Sequence, residues 1–237
     1  MISFKRIPPV LVQKCLVQVG DVEYNVKNAR IYSFVIHYIE RKQGGQGWGR
    51  RKIMFGFLQN LDGGILLWIQ EWLRQEWLDP VMVFYTRLGD KGFLMILLSV
   101  AMLLYKPTRK AGIGALMAMM MGLVITNLIL KGLISRPRPF LEVQGLLPLI
   151  PAPDPHSFPS GHTTGAFAAA AAWWKLSSEK WIKYGGAVLA LCMALSRLYV
   201  GVHYPTDVLG GACAGLFCAW LACKVSSRWL WKNSTIL

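Results

Sequence analysis

The chain has 237 residues, of which 54% are hydrophobic and only 16% charged, with a formal net charge of +14. A typical soluble domain carries roughly 25% charged residues, and a soluble protein of this size has no easy way to cover such an apolar surplus. A lipid bilayer is the expected solvent, which argues against a soluble enzyme, a disordered tail and, despite the charge, a nucleic-acid binder.

Residues 1–53 carry ten Lys/Arg against three Asp/Glu and end in the Gly-rich basic stretch Gln43 to Lys52. They read as a basic extension, disordered or not part of the native protein, with Met54 as the expected natural start. The run Ile31 to Ile39 is too short and too far in for a cleavable signal peptide. Residues 54–91 hold a mixed segment, Leu61 to Leu88, in which Leu66, Leu67, Ile69, Trp72 and Leu73 recur at roughly helical spacing. It reads equally as a short first span or as an interfacial amphipathic helix.

Five apolar runs follow: Gly92 to Tyr105, Ala111 to Leu130, the Ala-rich His162 to Trp174, Tyr184 to Ser196, and Val208 to Cys223. Ala111 to Leu130 is long enough to span a hydrocarbon core of about 30 Å. The shorter runs must extend into polar flanks to do so. The expected fold is therefore all-α, an integral membrane bundle of five or six transmembrane helices, with the bundle over residues 92–223 and a basic cytoplasmic tail over 224–237. Gly211 and Gly215 stand at GxxxG spacing, read as close helix packing. The five cysteines form no CxxC pair and read as small buried apolar residues.

Loop charge gives an orientation. Loops 106–110 and 175–183 and tail 224–237 hold nine Lys/Arg, against four (Lys131, Arg136, Arg138 and Arg197) on the opposite side. By the positive-inside rule the first group is cytoplasmic. The second side then faces outward.

That outer side holds three unusual clusters at helix ends: Lys131 with Arg138-Pro139, Pro159-Ser160-Gly161-His162, and Ser196-Arg197 with His203 and Asp207. Taken singly, each has an ordinary explanation. Lys131 can snorkel, Arg138 can anchor to headgroups, His162 can cap its helix, and Arg197 and Asp207 can pair. Taken together they converge on one face, where a charge near bilayer depth costs roughly 2.5–3.5 kcal/mol. Three cations suit a dianionic phosphate. A helix opening at Ser160-Gly161 offers N–H groups to an anion. His203 and Asp207 share a face if their stretch is helical, so Asp207 can orient His203 as a nucleophile while His162 serves as general acid. There is no carboxylate cluster for magnesium and no His/Cys set for zinc, so a chemistry without cofactor or metal fits better.

The clusters resemble the signature of the type 2 phosphatidic acid phosphatase family, also called the lipid phosphate phosphatase and haloperoxidase superfamily. Every motif position matches in order: Lys131, Arg138-Pro139, Pro159 to His162, Ser196-Arg197, His203 and Asp207. The resemblance implies that His203 forms a phosphohistidine, Asp207 orients it, and His162 protonates the leaving group and then activates water. It implies that Lys131, Arg138, Ser160, Gly161 and Arg197 hold phosphate oxygens. The haloperoxidases of the superfamily are mostly soluble, so the hydropathy favours the membrane phosphatases, with a phosphorylated lipid as substrate and membrane lipids as surroundings. Undecaprenyl diphosphate, phosphatidylglycerophosphate, phosphatidic acid and lipid A phosphate are the candidate substrates. A non-hydrolytic transporter or binder of anionic lipids is the alternative, but it gives no reason for a His203–Asp207 pair beside His162. Arg136 lies outside the motif and reads either as a second phosphate or headgroup contact or as a structural loop residue. His156 reads as a loop residue.

Overall fold

A computed structural model of the protein describes residues 49–152 and 154–229, with side chains from 59 to 227 apart from 153. The expectations for residues 1–48, for side chains up to 58 and for most of the tail lie outside the described residues. Among the described residues the structure is helical, with no strand and one isolated antiparallel bridge, Pro137 to His156.

The mixed segment is not one continuous helix. Helix α1, Gly49–Trp68, loosens into a π-turn at Ile69–Leu73. Arg74 then turns extended at φ −72° and ψ 130°. Arg74 clamps this break by donating to the carbonyl oxygens of Tyr199 and Leu147, at 2.9 and 2.6 Å. Helix α2, Asp79–Leu88, restarts with Pro80 in its first turn, where a missing N–H costs nothing. Lys91 and Gly92 both take positive φ, 53° and 76°, and reverse the chain into α3, Phe93–Ala101. The run to Tyr105 is thus helical only to Ala101.

Among the described residues two helices are long and apolar enough to cross a membrane, Lys106–Ile134 and Pro205–Ser227. The first comprises α4, Arg109–Leu123, a π-helical stretch Val124–Leu130 and a last α-turn Lys131–Ile134. Thr126 sits in that stretch and donates its hydroxyl to the Gly122 carbonyl at 2.6 Å, a local competitor for the helical hydrogen bonds. Ser135, at φ 47°, ends the helix. A short α5, Pro139–Glu142, precedes the Pro-rich loop. Helix α6 is Gly161–Leu176, α7 is Lys180–Tyr199 and α8 is Pro205–Trp229. As the short apolar runs required, these helices continue into polar flanks.

Helix α6 is the central element, packed against α4, α7 and α8. Its alanines at 166, 168, 169, 170 and 172 are buried with Trp173. The glycines of α8 explain the close approach. A Cβ at Gly211 would lie 2.6 Å from the Ser160 carbonyl oxygen, and one at Gly215 2.6 Å from that of Thr164. Leu128, Val188, Leu191, Leu195, Leu209 and Trp220 project outward instead, an apolar exterior that suits lipid.

Candidate active site

Ser135 stops its helix just past Lys131, Ser160 caps the start of α6, Arg197 closes α7, and Asp207 opens α8. The three sequence clusters thereby meet at one end of the bundle. Ser160 N–H donates to the Asp207 carbonyl oxygen at 3.1 Å, and Arg138 donates to the Val202 carbonyl oxygen at 3.0 Å. His203 lies close enough to Arg138, Arg197, His162 and Lys131 for all four to act on its charge.

His203 is buried and sits in the bend just before α8, while Asp207 lies in that helix's first turn. Arg138 Nη1 is 3.0 Å from His203 Nε2. A guanidinium can only donate, so Nε2 accepts and the ring proton belongs on Nδ1. Nδ1 faces Asp207 Oδ2 at 3.7 Å, beyond hydrogen-bond reach, and has no hydrogen-bond partner. Oδ2 instead accepts the Tyr204 N–H at 2.8 Å. The i,i+4 relation holds across the helix start, but the expected bond is loose. Burial, and then the nearby cations, hold the imidazole well below the ordinary histidine pKa, so His203 is neutral at pH 7.

The expected phosphate-binding cations are not alike. Lys131 and Arg138 share one carboxylate. Lys131 Nζ lies 3.0 Å from Asp154 Oδ2, and Arg138 Nη2 lies 3.1 Å from Oδ1. Burial would raise the Asp154 pKa, but these two cations together hold it below its ordinary value. Arg197 is 3% exposed and donates from Nη1 to Thr86 Oγ1 at 2.7 Å, while its Nε has no partner. Ser160 turns its hydroxyl inward, accepting from the Thr163 N–H and hydroxyl at 3.4 and 3.0 Å. The N–H groups of Gly161 and His162 begin the helix, where no preceding helical carbonyl faces them.

His162 Nε2 lies 2.9 Å from Asp90 Oδ1, so each site histidine has a carboxylate nearby. Gly89 makes room, since a Cβ there would fall 2.7 Å from His162 Cδ2. Asp90, Thr86 and Asp154 were missed in the sequence reading. The available signal was physical: buried cations require counter-charges. His156 behaves as the loop residue expected, its N–H bonded to Asp154 Oδ1 at 3.1 Å. Among the described residues, no group of three His, Cys, Asp or Glu side chains is arranged to hold a metal ion.

A family model described as the PAP2 superfamily matches residues 112–231. An undecaprenyl-diphosphatase from Sulfolobus acidocaldarius is 32% identical over 63% of this chain and 71% of its own. Phosphatidylglycerophosphatase B from Bacillus subtilis is 34% identical over 61% and 73%. Among solved structures, the transmembrane PAP2-type phosphatidylglycerolphosphate phosphatase of Bacillus subtilis superposes with a TM-score of 0.60 at 26% identity, covering 87% of this chain and 97% of its own. Aquifex aeolicus LpxE also gives 0.60, at 27% identity over 68% and 93%.

Proposed function

This chain belongs to the PAP2 superfamily, and on that premise we propose that it is a multi-pass membrane enzyme hydrolysing a lipid phosphate monoester or diphosphate through a phosphohistidine. The observation that carries the proposal is the state of His203. It is buried and neutral, and Arg138 points a donor at Nε2, which leaves the lone pair on the nitrogen that must attack.

The family resemblance suggests the steps, and the geometry supports them. A phosphate dianion entering the site competes for the guanidinium of Arg138, freeing Nε2, and gives Arg197 Nε–H an acceptor. Lys131, Arg138, Arg197 and the N–H groups at Gly161 and His162 hold its oxygens. The Nε2 lone pair forms a bond to phosphorus as the bond to the leaving oxygen breaks. His162 gives that oxygen a proton. The His203 ring, whose Nδ1 is less than 1 Å beyond hydrogen-bond distance from Asp207, draws toward that carboxylate as positive charge grows on it. Water deprotonated by His162 then displaces Nε2, releasing phosphate and restoring both histidines.

The same reading places the site at the outer leaflet, with five or six spans, residues 92–223 as the catalytic bundle, and the lysine-rich loops in the cytoplasm. An outward site and the names of the relatives favour a polyprenyl diphosphate, with phosphatidylglycerophosphate and phosphatidic acid next. The test is labelling of purified protein with a lipid phosphate carrying 32P in the transferred phosphoryl group, quenched in alkaline SDS. An acid-labile, base-stable label in wild type that is lost in His203→Ala, together with a drop in phosphate release on the order of 10⁴-fold, is the expected result. Full activity in His203→Ala overturns the nucleophile, and inhibition by a chelator overturns the metal-free chemistry.

A further inference from the structure

Arg136 falls outside the motif, yet it is among the most fully engaged cations near the site. Its Nη1 donates to Asp207 Oδ1 at 2.8 Å and to Thr206 Oγ1 at 2.6 Å. Its Nη2 donates to Asp62 Oδ2 at 2.7 Å. Its guanidinium carbon lies 3.8 Å from the centre of the Tyr204 ring. With these contacts the group is turned inward, which opposes a role in reading a headgroup.

Asp62 is the other half of the arrangement. It is a carboxylate of α1, only 3% exposed, and lies well before the stretch that matches the family model. It accepts the Thr206 N–H at 3.3 Å and the Thr206 hydroxyl. Asp62 therefore grips both Arg136 and the first turn of α8, the turn that carries Asp207. Without Arg136, two buried carboxylates would face each other uncompensated.

We propose that Arg136 and Asp62 are positioning residues of the reaction. Asp62 holds Arg136, and Arg136 holds the Asp207 carboxylate where it steers His203. The inference rests on the nucleophilic reading of His203. It extends the working parts of the site to a helix that the family motif does not reach. The geometry favours this assignment because both oxygens of Asp207 are already fixed, Oδ1 by Arg136 and Oδ2 by the Tyr204 N–H. The carboxylate cannot rotate without breaking one of them, so Arg136 and the Tyr204 N–H together set its distance to Nδ1.

The experiment uses the full chain in detergent micelles and a short-chain phosphatidic acid as substrate. Asp62→Asn is expected to lower kcat by about 10- to 100-fold with KM changed by less than about twofold. Arg136→Gln is expected to fall at least as far, and Arg136→Lys to recover part of the loss. The decisive measurement is a cycle with Asp207→Asn. If Asp62 acts through Asp207, adding Asp62→Asn to Asp207→Asn slows the enzyme no further. Multiplicative losses would overturn the proposal, and so would a rise in KM at constant kcat, which would make Arg136 a substrate contact. If Asp62→Asn does not fold, Thr206→Val with Arg136→Lys carries the same cycle. His203→Ala separates the two readings. If it is inactive while the Asp62 and Arg136 variants match wild type, only this inference fails. If it is fully active, the nucleophile fails first.

Discussion

At one end of the bundle Arg138, Arg197, His203 and Asp207 are each at most 3% exposed, whereas at the other end Lys106, Lys110, Lys175, Lys180 and Lys224 project outward. The two ends use similar residues under opposite physical conditions. An exposed lysine keeps its hydration and interacts weakly with its neighbours. A buried guanidinium must find acceptors, and here it finds oxygen atoms of Asp154, Thr86 and Val202 and the Nε2 of His203. Charge at the lysine end is therefore numerous and exposed. Charge at the histidine end is sparse and tied to several partners.

The sharpest way to break this contrast is to exchange a buried cation. Arg197→Ala removes a buried donor whose Nε has no partner, and kcat/KM is expected to fall roughly 10²- to 10³-fold, measured as phosphate release. Thr86→Val, which removes only the partner of Arg197 Nη1, is expected to cost about tenfold. A fall smaller for Arg197→Ala than for Thr86→Val would mean that Arg197 is structural.

The pH profile probes the same end. Burial and the surrounding cations lower the His203 pKa, so the imidazole stays neutral as pH drops through 6.5 and protonates only well below it. The acid limb of kcat/KM belonging to this group is expected well under pH 6.5. A limb at the ordinary histidine value would show that His203 is solvated in the working enzyme.

Asp154 comes next in size. It pairs with Lys131 and Arg138, the cations proposed to bind phosphate, so Asp154→Asn is expected to tighten inhibition by inorganic phosphate by about 3- to 10-fold. Its carboxylate pKa is depressed by Arg138 and Lys131 despite burial, so its contribution to stability is present at neutral pH and is lost as pH falls below the ordinary carboxylate range. Unfolding of Asp154→Asn is accordingly expected to depend less on pH in that acid window. At the lysine end the smallest effect is expected. Lys180→Gln combined with Lys183→Gln is expected to leave kcat/KM within about twofold, and a tenfold loss would erase the contrast.

Much of the site was legible because its motif residues sit at helix ends, where local sequence is informative. Ser160 before Gly161 marks an N-cap, and the apolar runs ending near Leu130, Ser196 and Val208 point to helix termini at one membrane face. The spacing of His203 and Asp207 fixed their neighbourhood but not their bond, because helix α8 begins only at Pro205, between them. The break at Arg74 escaped the reading of Leu61 to Leu88, since it is held by the carbonyl oxygens of Tyr199 and Leu147, far along the chain.

Sequence by itself determined the apolar surplus, the helical class, the family and the motif residues that gather at one end of the bundle, because hydropathy and motif spacing are properties of the chain read in one dimension. Tertiary structure alone decided which carboxylate answers each cation: Asp154 for Lys131 and Arg138, Asp90 beside His162, and Asp62 with Asp207 for Arg136. Arg136 and Asp62 are 74 residues apart, and no periodicity or local propensity links them. They meet because a buried guanidinium requires buried oxygen, and only the packed bundle supplies it.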